Sequence, residues 1–207
     1  MVNTKSIQTV WQTNAVARTI MVLTFASTLV MPLQYAVLLG VVLSILLFVF
    51  QQSNTIKVVE WVTQPNGWPV ERPALKQLES GKATFLFVYG NLFYAAASSL
   101  ETNLPDVEGS FRAVVILLLR GSEDVGSTVN EVFRRYAEAL QRHSGKLILA
   151  GVSPALRNQL ERTGLVDLIG PENIFPATDT IGESGNTALE AAADWLAKSS
   201  TEQDATG

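Results

Sequence analysis

Between Thr19 and Phe50 the chain carries no Asp, Glu, Lys or Arg. The run reads TIMVLTFASTLVMPLQYAVLLGVVLSILLFVF. A secretory leader has a shorter apolar core placed close to Met1; this run is too long and starts too late. As one straight helix it would reach about 48 Å at ~1.5 Å per residue. That exceeds a hydrocarbon layer of about 30 Å by more than tilt absorbs. Pro32 stands in the middle, where proline disrupts a helix interior. The sequence therefore predicts two membrane helices, residues 18–30 and 33–50, folded as a hairpin around Met31-Pro32. A kinked single span is the alternative. Lys5 and Arg18 precede the pair and Lys57 follows it, which places both ends on the cytoplasmic side. Ala36, Gly40 and Ser44 are spaced to share a helix face and let another helix approach closely; the competing reading is a lipid-facing run with incidental small residues. No ionisable group lies in the run, so it holds no proton relay or ion pair.

All 19 acidic residues follow residue 50, with 13 of the 15 basic ones, so residues 51–207 carry a formal charge of −6. No basic patch suits nucleic acid, and that class of partner is excluded. There is no cysteine. Disulfides, thiol catalysis and Cys-based metal sites are thereby ruled out. The one histidine, His143, sits in RRYAEALQRHSGK near a helix end, where a cation is favourable. A His-based triad or multi-His metal site cannot be built from this chain alone. No metal or cofactor is expected.

The sequence divides into a lead-in (1–17), the helix pair (18–50), a linker with the first strand (51–69), a domain (70–197) and a polar tail (198–207) expected to be disordered. Strands are predicted at 56–62, 84–89, 113–119 and 146–150, with a short extended piece at Ile174-Phe175. Pro65-Asn66-Gly67 is a turn signal after the first of them. Helices are predicted at 92–104, 129–142, 154–162 and 186–197. The second shows Val129, Val132, Phe133, Tyr136 and Leu140 at helical spacing. Ser153 opens the third as N-cap and Gly164 ends it. Strands alternating with helices imply an α/β fold with a central, mostly parallel sheet. The early strand pair can lie antiparallel at one edge.

The stretch VILLLRGSEDVGSTVNEVF (115–133) passes from strand to loop to helix, a place where phosphate is often held. A P-loop reads G-x-x-x-x-G-K-[ST]. Here Gly121 and Gly126 have the spacing and Thr128 the hydroxyl, but Ser127 replaces the lysine. Glu123 and Asp124 would repel a phosphate. Thr128-Val-Asn-Glu131 fits a capping box, which accounts for Thr128 without any function. A phosphate added to Thr128 or Ser127 would still be tolerated at a helix N-terminus. Gly121, Ser122, Glu123 and Asp124 form a loop suited to face a partner.

Several pieces together resemble the sulfate permease (SulP) family of anion transporters. TFASTL, MPLQYAVLLGV and LSILLFV are similar to that family's last two membrane helices. VYGNLFYAAAS (88–98), VVILLLRGSEDVGSTVNEVF and GKLILAGVSPALRNQLERTGLVDLIGPENIF resemble successive parts of its C-terminal STAS domain. The likeness runs from about residue 7 to 197, and the order of membrane pair and STAS domain carries it. It implies the C-terminal part of an inner-membrane transporter, with the STAS domain cytoplasmic and the transport-site helices absent. The implied partners are the bilayer, the remaining transporter helices, a second copy in a homodimer, and a regulatory protein at the STAS loop. STAS anti-sigma-factor antagonists carry Asp-Ser-Ser-Gly at this junction. The alignment puts the acceptor hydroxyl on Thr128 but the Asp on Gly126 and the Gly on Val129. A membrane-anchored signalling adaptor of that type is the alternative reading. An enzyme is not expected: there is no Cys, no loop lysine and no paired carboxylates at a cleft. Nucleotide contact without catalysis is implied only by family analogy.

Overall fold

The computed structural model describes residues 15–30, 32–53, 56–63, 69–90, 92 and 96–204. The turn expected at Pro65-Asn66-Gly67 lies outside them, as does the lead-in up to residue 14. The chain forms two compact units, residues 1–52 and 53–207.

The first unit holds α1 (Ala15–Val30) and α2 (Leu33–Ser53). Pro32 separates them; its carbonyl accepts from the amides of Tyr35 (3.0 Å) and Ala36 (3.3 Å), opening α2. Ser27 and Ala36 are buried, and Gly40, Leu43 and Leu47 are half-buried, a 4-3-4 spacing that marks one side of α2. Ser44 is exposed, because two turns of four residues drift round the helix away from Ala36. Phe25, Leu29, Leu33, Val37, Val41 and Ile45 are exposed. Among the described residues, no helix is long and apolar enough to cross a membrane.

The second unit is an α/β layer fold with a six-stranded mixed sheet. Its strands are β1 (Lys57–Thr63), β2 (Pro69–Pro73), β3 (Ala83–Tyr89), β4 (Val114–Leu118), β5 (Lys146–Val152) and β6 (Ile174–Pro176), in the order β2-β1-β3-β4-β5-β6. β1 is antiparallel to both β2 and β3, and β3 to β6 run parallel. Edge strand β2 begins and ends in proline, and β6 ends in Pro176.

The helices are α3 (Ala96–Asn103), α4 (Ser127–Arg142), α5 (Pro154–Arg162), α6 (Leu165–Ile169) and α7 (Glu183–Asp204). Strands β3 to β6 step one way across the sheet, so right-handed crossovers put α3, α4 and α5–α6 on one face. Burial agrees with this. Leu86, Val115, Leu117, Leu147 and Leu149 share a core with Leu100, Phe133, Leu140, Leu160 and Leu165. The alternate residues Phe85, Val114, Ile116, Leu118, Ile148 and Ala150 pack on Ala188 and Ala192 of α7. β4 is buried along its whole length, as its unbroken VVILL run requires.

Gly185 explains how closely α7 lies on the sheet: a Cβ there would stand 3.0 Å from the Phe85 ring. Trp195, one turn beyond Ala192, has Lys146 Nζ at 5.3 Å and the Arg112 guanidinium at 5.9 Å from its ring centre. α7 starts three residues before the predicted helix. It also continues to Asp204, through part of the tail expected to be disordered, because no Gly or Pro interrupts 186–204. At the other end of the sheet order, Glu60 stands opposite Arg72. Burial holds its carboxyl above the usual range, and Arg72 only partly offsets this.

Candidate functional site

Parallel sheets present their loops for function at the carboxyl ends of the strands. In this domain those are the loops after β3, β4, β5 and β6. The loop between β4 and α4 holds the candidates Gly121, Ser122, Glu123 and Asp124, and the first turn of α4 holds Ser127 and Thr128.

It is held from several sides. Leu119 N–H donates to Ala150 O at 2.9 Å, and Ser122 N–H to Leu119 O at 3.0 Å. Arg120 donates across to Thr178 O on the loop after β6, at 3.0 Å. Ser153 accepts from Leu156 N–H (3.1 Å) as the N-cap of α5, and its hydroxyl also donates to Ser122 O at 3.3 Å. Gln159, on α5, grips one peptide position twice: its Nε2 donates to Val125 O at 2.6 Å and its Oε1 accepts from Val125 N–H at 3.1 Å. Val125 is buried. Gly126 N–H reaches Leu92 O beyond β3 at 2.8 Å.

Behind the loop, Gly151 has φ +70, and a Cβ there would meet Leu118 Cδ1 at 3.1 Å and Arg120 N at 3.2 Å. Its N–H donates to the buried Ser184 hydroxyl at 2.7 Å. The backbone of the loop is therefore fixed by its neighbours, while Gly121, Glu123, Asp124, Ser127 and Thr128 remain exposed and Ser122 is half-buried. Among the described residues, Glu123 and Asp124 take part in no salt bridge.

The capping box predicted at Thr128 is not formed. Gly126 is the N-cap (φ −59, ψ 151) and α4 begins at Ser127, which makes Thr128 the second helical residue. The helix starts early because Gly126 is anchored through its own N–H while its carbonyl accepts from Asn130 N–H at 3.0 Å. Glu131 points instead toward Arg134, at 3.9 Å. Ser127 and Thr128 both lie in the first turn, where the helix dipole favours an anion.

Below the loop, α4 is tied to α5 and α6 by polar contacts that no sequence pattern reveals. Thr163 Oγ1 donates to Asn130 Oδ1 at 3.3 Å, Arg134 donates to Thr163 O, and Gln141 Nε2 donates to Leu168 O at 2.7 Å. Ile181, on the loop after β6, is 84% exposed. Its signal in the sequence is faint: a lone Ile among turn residues in ATDTIGES. His143 follows α4 directly, at the helix end where the sequence put it, with its backbone N–H on Leu140 O at 3.0 Å. Tyr136 is mostly buried on α4 and donates to Pro105 O at 2.8 Å; burial pushes its hydroxyl well above the usual tyrosine range. Among the described residues, no three His, Cys, Asp or Glu side chains gather to hold a metal.

Residues 74–181 match the STAS domain family. Over 162 residues the chain is 25% identical to the putative sulfate transporter YvdB of Bacillus subtilis (strain 168), covering 78% of this chain and 29% of that protein. The fold is shared with the murine Solute Carrier 26 family member A9 anion transporter in its inward-facing state. There the TM-score is 0.66 at 14% identity, over 94% of this chain and 31% of that one. A second structure, of SLC26A9, gives a TM-score of 0.63 at 14% identity, over 95% of this chain and 33% of that one. The chain thus spans about a third or less of each relative.

Proposed function

Because residues 74–181 place this chain in the STAS domain family, we propose that it is the STAS-bearing C-terminal part of a sulfate-permease-type anion transporter of the cell membrane. In this reading α1 and α2 are a membrane hairpin, the STAS domain is cytoplasmic, and the molecule works as a homodimer with the remaining transporter helices. The role of the domain is non-catalytic: regulation, assembly or partner binding through the loop between β4 and α4.

One observation carries the reading. The likeness to the putative sulfate transporter covers 162 residues, more than the STAS segment 74–181 contains, so it extends beyond that domain. The exposed apolar side chains of α1 and α2 support the membrane assignment, since water would disfavour them. The test is to map the transcript upstream of this chain and measure uptake of labelled sulfate by cells making the assembled protein. Further membrane helices in the same or a neighbouring frame, with uptake that depends on this chain, are expected. Their absence, or uptake unchanged when the chain is deleted, sinks the proposal.

The exposed hydroxyls of Ser127 and Thr128 favour a second reading, a membrane-anchored adaptor switched by phosphorylation. Phosphosite mapping after incubation with candidate kinases decides it: modification of neither hydroxyl removes this reading.

A further inference from the structure

Where β1 and β2 meet the end of α3, the domain holds a cleft of about 640 Å³. Lys57 of β1, Arg72 of β2 and Lys76 line it, with Val58, Leu75 and Leu104 as apolar wall. Among the described residues, none of the three cations forms a salt bridge. The one acidic residue lining the cleft, Glu71, accepts the hydroxyl of Tyr89. The last turn of α3 borders the cleft, and its carbonyls would repel an anion if they were free. Of these, Leu100 O is occupied by Leu104 N–H at 2.9 Å, and the side chains of Thr102 and Asn103 fold back onto Ser98 O (2.8 Å) and Ser99 O (2.7 Å) one turn earlier.

Glu60, opposite Arg72, offsets part of the positive charge but does not line the cleft, so three cations there face Glu71 and Glu60 within residues 51–207, whose formal charge is −6. Low-dielectric walls focus such a potential on the cleft. The volume is that of a small-molecule site rather than of a bare ion.

We infer that this cleft binds a small phosphomonoester dianion, its charged group between Arg72 and Lys76 and its organic part against Val58, Leu75 and Leu104. Arg72 supplies the planar fork that fits a phosphate, and Lys76 a point charge. Lys57 and Arg72 precede residue 74 and lie outside the segment that matches the family, whereas Lys76 lies within it. The same dianion occurs free in solution and as the headgroup of phosphatidic acid.

The experiment uses the full chain in neutral detergent. Glycerol phosphate is titrated by calorimetry, and in a second arm the micelles are doped with short-chain phosphatidic acid. Saturable binding is expected, at least about tenfold weaker in the double variant Arg72→Glu/Lys76→Glu. Lys82→Glu, on an exposed lysine paired with Glu79, should bind as the parent does. Circular dichroism checks that each variant is folded; if the double reversal is not, Arg72→Gln/Lys76→Gln replaces it, with the same direction of change. Binding in the first arm identifies a free ligand, and binding in the second alone a lipid headgroup. No saturable binding in either arm, or equal weakening by Lys82→Glu, overturns the inference.

Discussion

Tyr89, the last residue of β3, reaches over β1 to donate its hydroxyl to Glu71 on β2. Its ring packs on Phe87 with centroids 4.1 Å apart, and Phe87 lies 5.3 Å from Trp61. Val59, opposite Phe87 in register, is 2% exposed. Three aromatic side chains thus help shield the antiparallel part of the sheet.

The bond to Glu71 raises the Tyr89 hydroxyl above the usual range, and burial raises that of Tyr136. A raised folded-state value means the native state keeps its proton longer than the unfolded chain does. Stability from both groups is then complete below about pH 10 and lost as pH rises beyond it. Tyr136→Phe should flatten the alkaline loss of stability, and Tyr89→Phe should do so to a smaller extent, because Tyr89 is far less buried. Urea midpoints of parent and variants at about pH 8 and about pH 11 check this. Parallel pH profiles for parent and Tyr136→Phe would contradict it.

Gln159→Leu should cost about 2 kcal/mol, because it strands both polar groups of the buried Val125 peptide position. Amide exchange at Val125 should quicken with it. Gln159→Glu keeps the acceptor and loses the donor, so it should affect the carbonyl side alone and leave Val125 N–H protected. Hydrogen-exchange mass spectrometry across residues 119–128 reads both variants.

Ser153→Ala should lower stability by about 1 kcal/mol, the usual cost of removing a side-chain N-cap. Glu131→Ala should change it by less than about 0.5 kcal/mol, since Glu131 closes no capping box and its contact with Arg134 is long and solvent-facing. Denaturation followed by tryptophan fluorescence separates the two. Equal losses would restore the capping box at Thr128.

Gly151→Ala should destabilise by about 1–3 kcal/mol, through its positive φ and through the close approach of Leu118 and Arg120. Because Arg120 must shift, its bond to Thr178 O should weaken too. Chemical-shift changes concentrated at 119–122 and 177–179 would show this, whereas a purely local change at Gly151 would count against it.

The α/β alternation was legible because the signals are local. β4 is an unbroken apolar run, α4 buries Val129, Val132, Phe133 and Leu140 at helical spacing, and Ser153-Pro154 announces α5. The start of α4 departs from the sequence pattern for a physical reason: Thr128 and Glu131 satisfy a local pattern, but Gly126 is fixed by Leu92, which belongs to another crossover. Gln159 is 34 residues from the loop it grips, so no spacing rule reaches it. α6 leaves no periodic signal in the sequence, because it is five residues long and depends on burying Leu165, Val166 and Ile169.

The prolines of β2 have a consequence for how this domain can meet other proteins. Pro69, Glu71 and Pro73 share one orientation along the strand, and a proline nitrogen, placed on the solvent side of an edge strand, has no hydrogen to donate to a further strand. On the outer side of β2, Glu71 therefore offers the one amide among these three positions. At the opposite margin β6 is three residues long and stops at Pro176. An incoming strand finds too few donors at either margin to zip on, so the sheet resists runaway strand-to-strand polymerisation, and association is left to side-chain surfaces.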